Sequence, residues 1–205
     1  MTDRLDLLND ILDALGEPRA ASATITSSTA EWIKRAERQI DRSAKLIAES
    51  HPWNWMNAIE QLAQTGTAEP IGWEFEFTKP ANALRIAKVT DDGAYDSIPI
   101  PFEDRSGLIL TNCETTYLHF VDQARLDSMG SWPEHFALAV TLEAAWRASK
   151  GTEQSQNRRD GLETDKRKAL AEAKTWDGQQ QGAKPRYPGA FVRAVSGGWK
   201  SRVND

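Results

Sequence analysis

Three histidines, His51, His119 and His135, are the first places to look for chemistry in this chain. No two of them have the H-E-x-x-H spacing that sets a pair of imidazoles around a metal on one helix face. His119 falls in a strand pattern, where it reads as a hydrogen-bonded strand residue. His135 falls in the first turn of a helix and reads as surface. His51 precedes Pro52 at a helix end, where a cation suits the negative end of the helix dipole. The one cysteine, Cys113, excludes an internal disulfide and a multi-cysteine zinc site. It reads as a small strand residue in a reducing cytosol. No G-x-S-x-G, Walker-type loop or G-x-G-x-x-G occurs, and Gly197-Gly198 lacks the strand and helix such a loop needs. The acidic pairs Asp91-Asp92 and Glu103-Asp104 fall at turns, their ordinary place. On this reading the chain has no catalytic residue, no metal-ligand set and no cofactor.

Aromatic residues and charge say more. Eight tryptophans are many for 205 residues, and Trp anchors both cores and protein interfaces. Trp53 and Trp55 read as core packing at a helix–strand junction. The alternative, a stacking platform for a base or sugar, is weakened by the lack of basic neighbours. The net charge of −5 argues against a dedicated nucleic-acid binder. The charge is uneven, however. From Ala183 onward Lys184, Arg186, Arg193, Lys200 and Arg202 face only Asp205, so this stretch is basic and the rest more acidic than the total. It also carries Tyr187, Phe191 and Trp199, an apolar content that favours an arm ordered against another surface.

The elements that must carry these residues follow from periodicity. In "LNDILDALGEP", residues 8–18, Leu8, Ile11, Leu12 and Leu15 share a helix face, Gly16 suits a left-handed cap and Pro18 stops continuation. Ser28 and Glu31 fit a capping box for a helix over about 29–50, with Trp32, Ile33, Ala36, Ile40, Ala44 and Ile47 as its apolar stripe. From Asn57 to about Ala124 the period becomes two. Trp73, Phe75 and Phe77 alternate with polar residues, and strands are expected over 84–89, 98–102, 108–111 and 116–121. Thr65-Gly66, Asp91-Asp92-Gly93 and Arg105-Ser106-Gly107 read as breaks, with Ser106-Gly107 closing a hairpin. A capping box at Ser131 and Glu134 opens a helix that is apolar almost all round, ending near Lys150-Gly151. Thr152 caps a last, densely charged helix running to about Trp176. The fold class is α+β. It is read as an antiparallel bundle of about four helices (1–56 and 126–176) with an inserted small antiparallel β-sheet domain (57–125) and an extended C-terminal arm (177–205). The start of the chain shows no signal-peptide h-region, and no apolar run reaches membrane-spanning length.

The order of these elements resembles the head–tail adaptor proteins of tailed bacteriophages, the tail tubular protein A group. The resemblance covers about residues 5–175. It is carried by "LNDILDALGEP", "HPWNW" at 51–55, "FTKPANALRI" at 77–86 and the stretch "CETTYLHFVDQARLDSMGSWPEHFALAVTLEAAWRASK" at 113–150. It implies a structural protein of the virion's head–tail junction, assembled in the host cytoplasm as a dodecameric ring. The ring would sit under the portal protein, be followed by a tail or nozzle protein, and continue the channel through which genomic DNA passes. No membrane is involved. The resemblance implies that the arm docks on the portal, and the basic and aromatic residues Arg186, Tyr187, Phe191, Arg193, Trp199, Lys200 and Arg202 suit an acidic groove there. Asp10, Asp13 and Glu17 on the first helix and Arg158, Arg159, Asp165 and Arg167 on the last are candidates for contacts between ring subunits. Two other classes stay open. One is a DNA-interacting packaging or regulatory module using the basic arm as a phosphate-binding segment. The other is a tail enzyme such as a peptidoglycan hydrolase, for which no acid–base pair stands out.

Overall fold

A computed structural model describes residues 3–26, 29–67, 72–94, 97–150 and 156–180. The protein is α+β, with five α-helices and two small antiparallel sheets among the described residues. The first helix, α1 (Arg4–Leu15), is fixed at both ends. Asp3 and Asp6 form a reciprocal capping box at the start. At the end Gly16 takes φ 68°, and the amides of Gly16 and Glu17 donate to the carbonyls of Asp13 and Leu12. Leu7, Leu8, Ile11, Leu12 and Leu15 are buried, so the apolar face is one residue wider than the heptad-like spacing of Leu8 to Leu15. The loop that follows is pinned back on the helix. Asn9 on α1 accepts the amide of Ala20 at 2.7 Å and donates to the Ala20 carbonyl at 3.3 Å.

Helix α2 (Glu31–Ser50) begins at Glu31 with Ala30 as its N-cap and no side-chain cap bond; the expected cap Ser28 lies outside the described residues. Ala36, Ile40, Ala44, Ile47 and Ala48 are buried, but Trp32, expected in the stripe, is 36% exposed. After His51-Pro52 a single 3-10 turn (Asn54–Met56) leads into the strands.

Among the described residues the strand-rich middle forms seven strands in two sheets, not one sheet of four or five. They are β1 (Asn57–Gln61), β2 (Gln64–Thr67), β3 (Phe75–Thr78), β4 (Ala83–Thr90), β5 (Glu103–Arg105), β6 (Leu108–Thr111) and β7 (Tyr117–Asp122). One sheet has the order β1-β7-β4, the other β2-β3-β6-β5. Thr65-Gly66, expected as a break, is inside β2, where the pairing with β3 shifts register between Gln64 and Gly66. The expected strand over 98–102 is not formed; the strand there starts at Glu103. Cys113 lies between β6 and β7 rather than in a strand. The β5–β6 hairpin closes as expected, with Ser106 at φ 51° and Gly107 at φ 89°.

Helices return with α3 (Gln123–Asp127), capped by the Asp122 carboxylate, then α4 (Glu134–Ser149) and α5 (Gln156–Gln179). Ser131 does not cap α4: its hydroxyl donates to the Ser128 carbonyl at 2.7 Å, and Pro133 stands at the N-cap. Helix α4 is packed by α1, α2 and α5, which explains an apolar surface nearly all round. Thr152 lies outside the described residues, and α5 continues three residues past Trp176 to Gln179.

Candidate interaction site

A groove of about 720 Å³ runs between α1 and α4, and it is the site the helices build. Its walls combine acid and apolar groups: Asp10, Asp13 and Ala14 from α1, and Glu134, Leu138 and Leu142 from α4, with Trp132 at one end. Among the described residues no basic side chain lines it. The spacing explains the wall. Positions 134, 138, 141 and 142 fall on one side of α4, and positions 10, 13 and 14 on one side of α1. Leu138 is 45% exposed there, although the sequence pattern places it among the core residues of α4. The Asp10 carboxyl is pushed above its ordinary value, first by partial burial and then by Asp13 and Asp6. Asp13 is held below its ordinary value by Arg19, which donates to both of its carboxylate oxygens.

A second cluster fixes the end of α5 beside the start of α4. Phe136 is met edge-on by three indoles, Trp53, Trp55 and Trp132, with ring centroids 4.9–5.2 Å away. Trp53 and Trp132 donate their ring N–H to the carbonyls of Ile47 and Leu126, both at 2.9 Å. The core reading of Trp53 therefore stands. Asp177, inside α5, is 1% exposed. Its carboxylate accepts the Asn54 amide at 2.9 Å, and Asn54 Nδ2 donates to the Asp177 carbonyl at 2.7 Å. His51 Nε2 stands 3.3 Å from the same carboxylate. Burial raises the Asp177 carboxyl and lowers the His51 imidazole, with Lys174 and Arg85 also opposing a charge on His51. His51 is thus a partly buried partner of Asp177 at the helix end, where burial opposes the positive charge that suits the dipole. Beside this clamp Trp176 lies on His135, ring centroids 5.5 Å apart.

The remaining charges of α5 are largely spent within the chain. Lys166 donates to Glu143 of α4 at 3.2 Å and sits 3.1 Å over the Trp146 ring. Arg147 holds the other Glu143 oxygen at 2.7 Å. Arg167 pairs with Glu163 on its own helix, and Arg158 reaches across to the Ala14 carbonyl at 3.2 Å, satisfying the end of α1. Arg159 is half-buried, Asp165 is exposed on α5, and Glu17 is half-buried just past α1. Of the expected interface residues, Asp10 and Asp13 are therefore brought together in the groove, while Arg158 and Arg167 are engaged within the chain. Arg186, Tyr187, Phe191, Arg193, Trp199, Lys200 and Arg202 lie outside the described residues. His119 is buried in β7, with Nε2 3.2 Å from the Thr90 hydroxyl and its other ring nitrogen without a partner. Among the described residues no three His, Cys, Asp or Glu side chains are grouped to hold a metal, and no helix is long and apolar enough to cross a membrane.

Sequence reasoning missed Glu134, Leu138 and Asp177. The only signal for the first two was the apolar run of α4 with its acidic start. Asp177 looked like the first residue of the arm. The chain matches no protein-family model, and no curated protein matches it.

Proposed function

We propose that the protein is a structural head–tail adaptor of a tailed phage. In this reading α1, α2, α4 and α5 act as an antiparallel bundle that forms the body of a ring, twelve subunits by resemblance. The ring sits between the portal and a tail or nozzle protein and continues the DNA channel at the virion's head–tail junction. The observation that carries the reading is the order of elements: two helices, a strand-rich middle, further helices and then a basic, aromatic segment. The acidic α1–α4 groove supports it, since acidic walls repel passing DNA and offer one side of a charge-complementary contact. The role is one of assembly, with no reaction assigned to any residue.

The test is assembly with portal-bearing capsids. A ring seen by electron microscopy at the portal vertex is the expected outcome, and attachment should be lost on removing residues 181–205. Truncation must spare Asp177, which is buried against Asn54. A monomer by light scattering at assembly concentration, with portal present, overturns the reading. The basic segment also favours a second reading, a DNA-interacting module; it requires a salt-dependent DNA shift that disappears with the same truncation.

A further inference from the structure

The α1–α4 groove has a counterpart on the outer face of α2. Helix α2 packs on α1 and α4, the two walls of the groove, through Ala36, Ile40, Ala44 and Ile47. Arg38, Arg42 and Leu46, spaced by four, fall on the other side of the helix and are exposed, Leu46 by 42%. They form one ridge, about 12 Å long at the helical rise. The groove has the same length. Its α4 wall is the row Glu134, Leu138 and Leu142, again spaced by four and about 12 Å long. Rows spaced by four are the ones that interlock when two helices pack.

The chemistry of the two matches. The ridge offers two guanidiniums and a leucine; the groove offers Asp10 and Glu134 around the exposed Leu138. Asp13 is already paired with Arg19, whereas Asp10, Glu134 and Arg42 form no ion pair among the described residues. Arg38 gives one N–H to the Lys34 carbonyl at 3.1 Å and keeps donors for a carboxylate. The neighbouring acids of α2, Glu37 and Asp41, are held by Arg4, which leaves the ridge basic. One chain cannot bring ridge and groove together, because the ridge faces away from both helices that wall the groove. The match is therefore between copies. A ridge on one side and its groove on another make a heterologous contact, which repeats from copy to copy.

We propose that Arg38, Arg42 and Leu46 of one copy seat in the α1–α4 groove of the next, with Leu46 on Leu138 and Leu142 and the arginines paired with Asp10 and Glu134. The assignment rests on the self-association that the ring reading requires and names its contact; portal and DNA do not enter it.

Sedimentation equilibrium of the full chain, from about micromolar to about millimolar concentration, tests this. The wild type should associate as concentration rises. Arg38→Glu with Arg42→Glu, and separately Asp10→Lys with Glu134→Lys, should each weaken association about tenfold or more, since each sets like charges face to face. All four positions are exposed, and both variants should keep the wild-type circular dichroism. An equimolar mixture of the two variants should associate again, because the acidic ridge of one meets the basic groove of the other. A misfolded variant gives no such recovery. Association that neither reversal weakens overturns the interface, and so does a mixture no better than its components; both leave the ring to be built through other faces. A wild-type chain that stays monomeric at about millimolar concentration overturns the interface as well. Recovery in the mixture upholds the interface even if the assembly never seats on a portal, an outcome that would remove the connector reading alone.

Discussion

The helical body and the strand-built middle are held by cores of different kinds. In the body, one continuous cluster joins α1, α2, α4 and α5 to the Trp53–Met56 junction, with Phe136 surrounded by three indole edges at its centre. In the middle, Leu62, Phe77, Val89, Ile109, Leu118 and Phe120 make a small separate cluster. The body also buries its charges in pairs, as Glu143 does with Arg147 and Lys166. Both regions leave some buried side-chain atoms unmatched, Ser43 Oγ and Trp55 Nε1 in the body and His119 Nδ1 and Thr111 Oγ1 in the middle. A large core tolerates a buried charge when partners come from several helices; a small one keeps its polar residues neutral instead. The difference predicts that packing changes hurt most in the body and pH changes most in the middle.

The largest effect should come from Phe136→Ala. It removes a fully buried ring and the shared face of Trp53, Trp55 and Trp132, and should cost about 3–5 kcal/mol in urea unfolding. A loss below about 1.5 kcal/mol would mean that the cluster repacks and that the two cores are not distinct in this way.

Acid should act on the middle. Burial first, and then Lys88, hold His119 down to about 4, while Asp92 pulls weakly the other way. The unfolded chain, with an ordinary imidazole near 6.5, binds the proton first. Stability contributed by neutral His119 is therefore present above about pH 6.5 and lost as pH falls toward about 4, by up to about 3 kcal/mol. Stability measured at pH 7 and pH 4.5 should show this loss, and His119→Gln should flatten that part of the profile. An unchanged slope in the variant would place the acid sensitivity elsewhere.

The two regions were also unequally legible. Helices α1 and α4 declare themselves through the spacing of Leu8, Ile11, Leu12 and Leu15 and through the run from Phe136 to Trp146, apolar except for Thr141 and Glu143. The Ser106-Gly107 turn declares itself by residue type. Strands β1 and β2 do not, because Glu60, Gln61, Gln64 and Thr65 are exposed and the alternation has no buried partner to mark it. The cap expected at Ser131 fails as a signal: Pro133 stands at the start of α4 without a side-chain bond, and the Ser131 hydroxyl turns back to Ser128. The groove was half legible. Asp10 and Asp13 lie on the wet side of α1 in any helical projection. Their meeting with Glu134, more than a hundred residues away, is decided by packing alone.

Asp177 offers a smaller test of how the body closes. Asp177→Ala leaves the Asn54 amide without its acceptor and should cost about 1–3 kcal/mol. The loss should appear as faster hydrogen exchange at Asn54 and at the end of α5. If exchange at α5 is unchanged, the helix is held by its packing and ion pair on α4, and the clamp does not join the two parts.

The smallest effect to be resolved is the share of the Arg158 contact at Gly16, where backbone and packing can be separated. Alanine there must adopt φ near 68°, a left-handed conformation that costs about 1–2 kcal/mol for a residue with a Cβ. The added carbon would also stand 2.6 Å from Arg158 Nη2, too close for the arginine to stay. The guanidinium is the far end of a flexible side chain and can move, but in moving it gives up the Ala14 carbonyl at 3.2 Å. Gly16→Ala should then cost about 1–2 kcal/mol for the backbone and about another 0.5–1 kcal/mol for the lost bond. A double-mutant cycle with Arg158→Ala separates the parts. With Arg158 already removed, Gly16→Ala should cost only the backbone share. Equal costs in both backgrounds would show that the Arg158 contact holds nothing at the end of α1.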